Sequence, residues 1–211
     1  MSDSSGGGPC LAAVILAAGR SSRMPGRSKL VLDFRGTSVI RTVALTAIDA
    51  GLAPVFVVVS PASAEVAEEL ADLPLRIETP DAEQDSRIAS VSCGLKAALR
   101  ESVEGVVLLL GDEPEVDGSD IRAVRRAVAE GVEGIVRARY RDRPGHPVIV
   151  SRNVARRFAR LESVEGDPDR VWDRLSRLSA CREEVCIDRP GPIDVDTPEA
   201  LHEARDRNRG S

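Results

Sequence analysis

The sequence predicts an α/β protein, a three-layer sandwich with a mostly parallel central sheet and a hairpin excursion near the C-terminus. Three observations predict it. Two apolar runs, 11–18 and 106–110, are too short for helices and stop at Gly19 and Gly111, so both read as strands buried on two faces. Around them, extended stretches alternate with helical ones, the pattern of parallel strands joined by crossover helices. Late in the chain, two extended stretches are separated only by the polar turn 140–145, which is too short for a crossover.

The elements follow in order. Residues 11–18 form the first strand and open into a polar loop. Residues 31–34 are a short extended piece that Gly36 breaks. Ser38 offers a capping oxygen for a helix over 39–50, and Gly51 ends it. Pro54 opens a strand at 55–60. Pro61 sits where a first helical turn tolerates proline, and the Ala/Glu-rich stretch 62–71 reads as a helix. Pro74 introduces a strand at 75–78; beyond the polar loop 79–86 a helix spans 88–100. The second buried strand, 106–110, ends at Gly111-Asp112, and a helix from 118 or 119 to 130 comes next. Residues 134–139 pair with 147–150 as the hairpin. Ser151 can cap a helix to 161, Gly166-Asp167 precedes one over 168–179, and 184–187 is extended. Thr197 as cap and Pro198 in the first turn start the last helix. No repeat or low-complexity linker divides the chain, so 10–208 reads as one domain behind a flexible tail, 1–9.

Composition narrows the function classes. At 211 residues one domain can bury a sizeable core, which must rest on Val, Leu, Ile and Ala because aromatics are 2% of the chain. A net charge of −5 argues against nucleic acid or an anionic membrane as partner. No apolar run is long enough to span a bilayer, and the first residues lack the basic start of a signal peptide, so a cytoplasmic protein is expected. Cys10, Cys93, Cys181 and Cys186 form no CxxC and only two histidines exist, which disfavours zinc. All four are expected to be buried free thiols.

The loop after the first strand carries the strongest chemical signal. A buried strand emptying into a glycine-bearing basic loop suits phosphate, because small residues let backbone N–H groups close on the oxygens and cations offset the charge. Lys29 and Lys96 are the only lysines, so a lysine here is not the chain's default basic choice. A compact ammonium serves a phosphate oxygen as a point charge. The loop is neither a P-loop nor GxGxxG. Leu16, Ala17, Ala18, Gly19, Arg20, Ser21, Ser22, Arg23 and Met24, then Lys29, resemble the LAAG-x-S-x-R-M-G…K signature of nucleotidyltransferases with a GT-A-like fold. Within that superfamily the double serine and the LAAG form look most like the molybdopterin cytidylyltransferases, with Pro25 inserted between Met24 and Gly26. The resemblance runs from about Leu11 to Leu201 and implies a Rossmann-like central sheet.

Other stretches bear on the same chemistry. Ligands in such sheets sit beyond the carboxyl ends of the strands, where Gly19 and Asp112 both fall. Asp112 ends a buried strand and is placed to hold Mg²⁺, which takes one or two carboxylates plus phosphate and water oxygens. Its alternative is a turn or a helix cap. Gly111-Asp112-Glu113-Pro114 resembles the family's Gly-Asp-Gln-Pro, with Glu113 in place of glutamine. Asp194 and Asp196 bracket Val195, and in an extended segment both carboxylates face one way while Val195 faces the core. The segment is similar to the family's closing motif, which assigns Asp196 as second metal ligand with Asp194 in support; the alternative is that both only begin the last helix. Gly145-His146-Pro147 resembles a Gly-His-Pro at the acceptor pocket, where His146 and Glu113 would meet substrate. Ser90 matches a serine of the nucleotide side, though Arg87, Ile88 and Ala89 replace the residues that usually precede it.

The resemblance therefore implies transfer of CMP from CTP to the phosphate of molybdopterin, with release of pyrophosphate and with Mg²⁺ as cofactor. Arg23, Lys29 and Asp112 would be catalytic. Leu16, Ala17, Ala18, Gly19, Arg20, Ser21, Ser90 and Gly111 would bind nucleotide. A molybdenum hydroxylase would be the recipient. Two alternatives stay open: guanylyl or another nucleotidyl transfer to a different phosphorylated acceptor, and a non-catalytic cofactor carrier or chaperone on the same fold.

Overall fold

The computed structural model describes residues 9–19, 28–80, 86–129, 133–161 and 171–207. Strand β1 (Leu11–Ala17) is apolar throughout, as a strand covered on both faces must be. Asp33–Phe34 (β2) and Thr37–Ser38 (β3) pair as a small antiparallel ribbon turned at Arg35 and Gly36, the latter at φ +92°, where a side chain would be strained. Helix α1 (Val39–Asp49) is capped by the Ser38 hydroxyl, which accepts from Arg41 N–H. Then come β4 (Val55–Val59), α2 (Ala64–Glu68), β5 (Arg76–Glu78), α3 (Arg87–Leu99) and β6 (Gly105–Leu110). The second half holds α4 (Gly118–Ala129), β7 (Ile135–Tyr140), β8 (Pro144–Ser151), α5 (Arg152–Ala159), α6 (Val171–Leu178), β9 (Arg182–Ile187) and α7 (Pro198–Asp206).

Among the described residues seven strands form one sheet in the order β5-β4-β1-β6-β8-β7-β9. β1 is parallel to both β4 and β6; β8 is antiparallel to its neighbours β6 and β7; and β7 is parallel to β9. The sheet is thus mostly parallel, with β7–β8 as the hairpin and a bulge between Arg137 and Ala138. Alternate β1 residues feed two cores. Ala13, Ile15 and Ala17 join α1, α4 and α7 on one face, while Ala12 and Val14 join α3, α5 and α6 on the other. From β1 the chain builds outward through β4 and β5, then returns to lay β6 on the opposite side. The switch point therefore lies between the carboxyl ends of β1 and β6.

Three expectations need correction. The helix expected over 62–71 shrinks to Ala64–Glu68: Ser63 supplies no side-chain cap, and residues after Glu68 tighten into turns from which Leu70 reaches the core. The extended piece at 31–34 is only β2, because Lys29–Val31 coils into a single 3-10 turn. The cysteines are not buried: Cys10, Cys181 and Cys186 are exposed and Cys93 is half-buried. Cys186 lies on β9, a sheet-edge strand, which leaves its outward positions to solvent.

Candidate functional site

At the switch point the two buried strands come as close as backbone allows. Gly111 N–H donates to Leu16 O at 2.9 Å, carrying the β1–β6 ladder one residue past the strand. A Cβ on Gly111 would stand 2.9 Å from Ile40 Cδ1 and 3.1 Å from Leu16 O, so a side chain here would crowd Ile40 and the β1 backbone. Asp112 emerges immediately beyond it. Gly19, two residues past β1, has no described residue within 4 Å of where a Cβ would be.

Lys29 opens the 3-10 turn, capped by Ser28, whose own N–H donates to Glu65 Oε1 of α2 at 2.7 Å. That anchor turns the lysine inward, and its residue is 7% exposed. Its Nζ donates to Asp112 Oδ2 and to Asp196 Oδ1, each at 2.5 Å. Burial pulls the Lys29 pKa down, but the Asp112 carboxylate and then Asp196 outweigh it and hold the pKa above its ordinary value. The ammonium stays charged between two carboxylates whose side chains remain 23% and 45% exposed.

The closing segment brings Asp196 there. Val195 is fully buried and its N–H donates to Asp112 O at 2.9 Å, so the two aspartate-bearing segments are stitched backbone to backbone. Asp196 N–H donates to Asp194 O at 2.8 Å, a local turn about Val195 rather than a regular strand. Asp194 takes a different neighbour from Asp196: Arg143 Nη2 lies 3.5 Å from its Oδ1.

Glu113 is 3% exposed. His146 Nδ1 lies 3.2 Å from its Oε2, and Arg143 Nη2 4.0 Å from its Oε1. Both are ion-pair distances, yet Oε2 takes no well-directed hydrogen bond among the described residues. Burial pushes the Glu113 pKa up; His146 opposes this and the Asp194 carboxyl adds to it. His146 O accepts from the Tyr140 hydroxyl at 2.7 Å.

The structure thus brings Lys29, Asp112 and Asp196 onto one ammonium, with Glu113, His146 and Asp194 as an adjoining group. Gly111 meets the β1 backbone at Leu16 immediately before Asp112, and Ala17, Ala18 and Gly19 follow Leu16 at the carboxyl end of β1. The Ser90 hydroxyl donates back to Ser86 O at 3.3 Å within the first turn of α3. Arg20, Ser21 and Arg23, like Gly166 and Asp167, lie outside the described residues. Sequence reasoning missed Glu115 and Arg143. Glu115, 6% exposed, accepts Ile193 N–H at 2.8 Å, and Arg143 donates to Pro192 O. The one signal for Glu115 was an acid three residues beyond Asp112 and next to a core valine. Among the described residues no three His, Cys, Asp or Glu side chains are grouped to hold a metal ion by themselves. No helix among them is long and apolar enough to cross a membrane.

Residues 13–180 match the model of the MobA-like NTP transferase domain. The chain belongs to that family. The bifunctional protein GlmU of Rhizobium etli is 30% identical over 136 residues, 64% of this chain but 30% of GlmU, so the chain spans about a third of that relative's length. Among solved structures, Rv0371c from Mycobacterium tuberculosis H37Rv superposes with a TM-score of 0.76 at 28% identity, covering 92% of this chain and 97% of that one. The same mycobacterial protein in complex with manganese gives a TM-score of 0.71 at 27% identity over 92% of this chain and 97% of that one. A nucleotidyl transferase from Methanothermobacter shares the fold, with a TM-score of 0.74 at 23% identity over 95% and 98% of the two chains.

Proposed function

We propose that this MobA-like domain is a nucleotidyltransferase that moves CMP from CTP to the phosphate of a molybdopterin-type acceptor. The observation that carries the reading is the meeting of Lys29, Asp112 and Asp196 at the switch point of the sheet. An acceptor phosphate oxygen attacks the α-phosphorus, the bond to the α–β bridging oxygen breaks, and pyrophosphate leaves. The acceptor oxygen is already anionic, so no general base is needed, and the protein's work is alignment and charge neutralisation.

The residues fit a magnesium ion. The Lys29 ammonium already sits between the two carboxylates, so a cation is favoured there. Two carboxylates with phosphate and water oxygens are what Mg²⁺ takes; the similar mycobacterial protein has a structure in complex with manganese. Asp112 and Asp196 would hold the ion, which would neutralise charge on the triphosphate and the acceptor. Lys29, released towards the phosphates, would stabilise charge growing at the α-phosphorus. Arg20, Ser21 and Arg23 would hold the β- and γ-phosphates together with the Gly19 backbone. His146 would face the acceptor, with the buried Glu113 carboxyl behind it rather than in contact with substrate. The cytosine preference and the molybdopterin acceptor rest on the sequence resemblance.

The test is pyrophosphate release with molybdopterin and each of four nucleoside triphosphates. CTP is expected to be the best donor. Asp112→Asn is expected to slow the reaction about 10²–10³-fold, as loss of one charge-stabilising group does. Its circular dichroism should stay unchanged. Pterin binding with no metal-dependent pyrophosphate release would instead identify a non-catalytic carrier.

A further inference from the structure

The segment that delivers Asp196 has no regular secondary structure, yet it is pinned along its length. Gly191 N–H donates to Asp142 Oδ1 at 2.7 Å, and Gly191 O accepts from Arg207 Nη1 at 2.8 Å. The deepest pin is Glu115. Its side chain is 2% exposed, its Oε2 accepts Ile193 N–H at 2.8 Å, and Arg207 Nη1 lies 3.7 Å from the same oxygen. Arg207, just past α7, thus holds both the carboxylate and the strand of chain that the carboxylate holds. Burying a carboxylate is expensive and persists only when its partners repay it. Here the repayment goes to one backbone N–H, three residues before Asp196.

We propose that Glu115, completed by Arg207, is a positioning residue that sets Asp196 at the right distance from Asp112 for a divalent cation; this rests on the nucleotidyl-transfer reading above. The Val195–Asp112 backbone bond fixes the segment beside Asp196, and the Gly191 and Pro192 contacts fix its far end. The Ile193–Glu115 bond is the buried point between them, two residues before Val195. Outer partners of metal ligands act this way: they do not touch the ion, yet their loss weakens it about 10–100-fold.

The experiment measures Mn²⁺ binding to the full chain by loss of the free-ion spin-resonance signal, with and without a non-hydrolysable CTP analogue. Glu115→Ala is expected to raise the half-saturating Mn²⁺ about 10-fold in the presence of the analogue. Metal-free affinity for the analogue should be unchanged. Glu115→Gln keeps an oxygen for Ile193 N–H and should stay within about 3-fold of wild type. Arg207→Ala changes a side chain that is 35% exposed, tolerates the fold more readily, and should shift Mn²⁺ in the same direction as Glu115→Ala. If wild type binds manganese and the analogue while Glu115→Ala and Arg207→Ala do so equally well, the positioning role is wrong and the proposed function stands. Glutamine failing as badly as alanine also overturns the backbone anchor as its cause. A wild type that binds neither overturns the proposed function and this inference with it.

Discussion

Glu113 is a residue whose surroundings work against its own charge. It is almost wholly buried, and burial is the leading reason its pKa is raised; Asp194 adds repulsion, and His146 returns only part of the loss. The sign of the pH effect follows. A carboxyl with a raised folded pKa binds its proton more tightly in the native state than in the unfolded one. Stability is therefore highest when Glu113 is protonated, and falls as pH rises from the ordinary value of 4.5 through the folded one. Glu113→Gln keeps the shape and drops the charge. It should stabilise the protein by about 1 kcal/mol at neutral pH, a rise in Tm of about 2–4 °C for a chain of this size. Near pH 4, where the wild-type carboxyl is protonated, the gain should disappear. Paired thermal melts at the two pH values check this. A lower Tm at neutral pH would mean that the His146 contact outweighs burial.

At the scale of elements, α3 shows how the sheet sets the sequence of the helices. Gly94 faces β1 so closely that a Cβ would lie 2.3 Å from Val14 Cγ1 and 3.0 Å from Val58 Cγ2. A substitution would lift the helix off both central strands. Gly94→Ala should therefore destabilise by about 1–3 kcal/mol despite alanine's better helix propensity, through overpacking. Chemical denaturation should show a lower midpoint with an unchanged slope. This contact also shows what the sequence could and could not reveal. The strands were legible because β1, β4 and β6 are covered on both faces, with Ile15, Val57 and Leu109 in one core and Val14, Val58 and Leu108 in the other, and so form unbroken apolar runs. The hairpin was legible from the short polar turn read at 140–145, which the structure narrows to 141–143. The length of α2 was not, because it depends on which residues of an Ala/Glu-rich stretch meet the core as helix: Val66 does, whereas Leu70 reaches the core from the turns that follow. Asp112 could be singled out by type and position at a strand end, and Lys29 and Asp196 through the family signature and closing motif that their stretches resemble. Glu115 could not, because its partner is a backbone N–H 78 residues away that carries no side-chain signature.

At the scale of the whole molecule, the candidate site has no local existence. Lys29 and Asp112 are 83 residues apart, and Lys29 and Asp196 are 167 apart. The C-terminal helix that follows Asp196 is docked on the N-terminal ribbon: Arg35 Nη2 donates to Ala204 O at 2.8 Å, and Arg205 Nε donates to Asp33 O at 3.0 Å. Only the folded chain can present the three charged groups together, so a ligand that needs all three binds the native state alone. Such binding adds its free energy to global stability. Magnesium with CTP at about a hundred times its dissociation constant should add about 2.7 kcal/mol, and so raise Tm by about 5–10 °C. Magnesium alone should shift it far less, because Lys29 already occupies the space between the carboxylates and only phosphate gives the ammonium somewhere better to go. Asp112→Asn should lose the joint shift while its own Tm stays close to wild type, since removing one charge from the group leaves Lys29 paired with Asp196. A full shift with CTP in the absence of any divalent ion would place the nucleotide on the arginines of the basic loop alone and leave the two aspartates without a metal to hold.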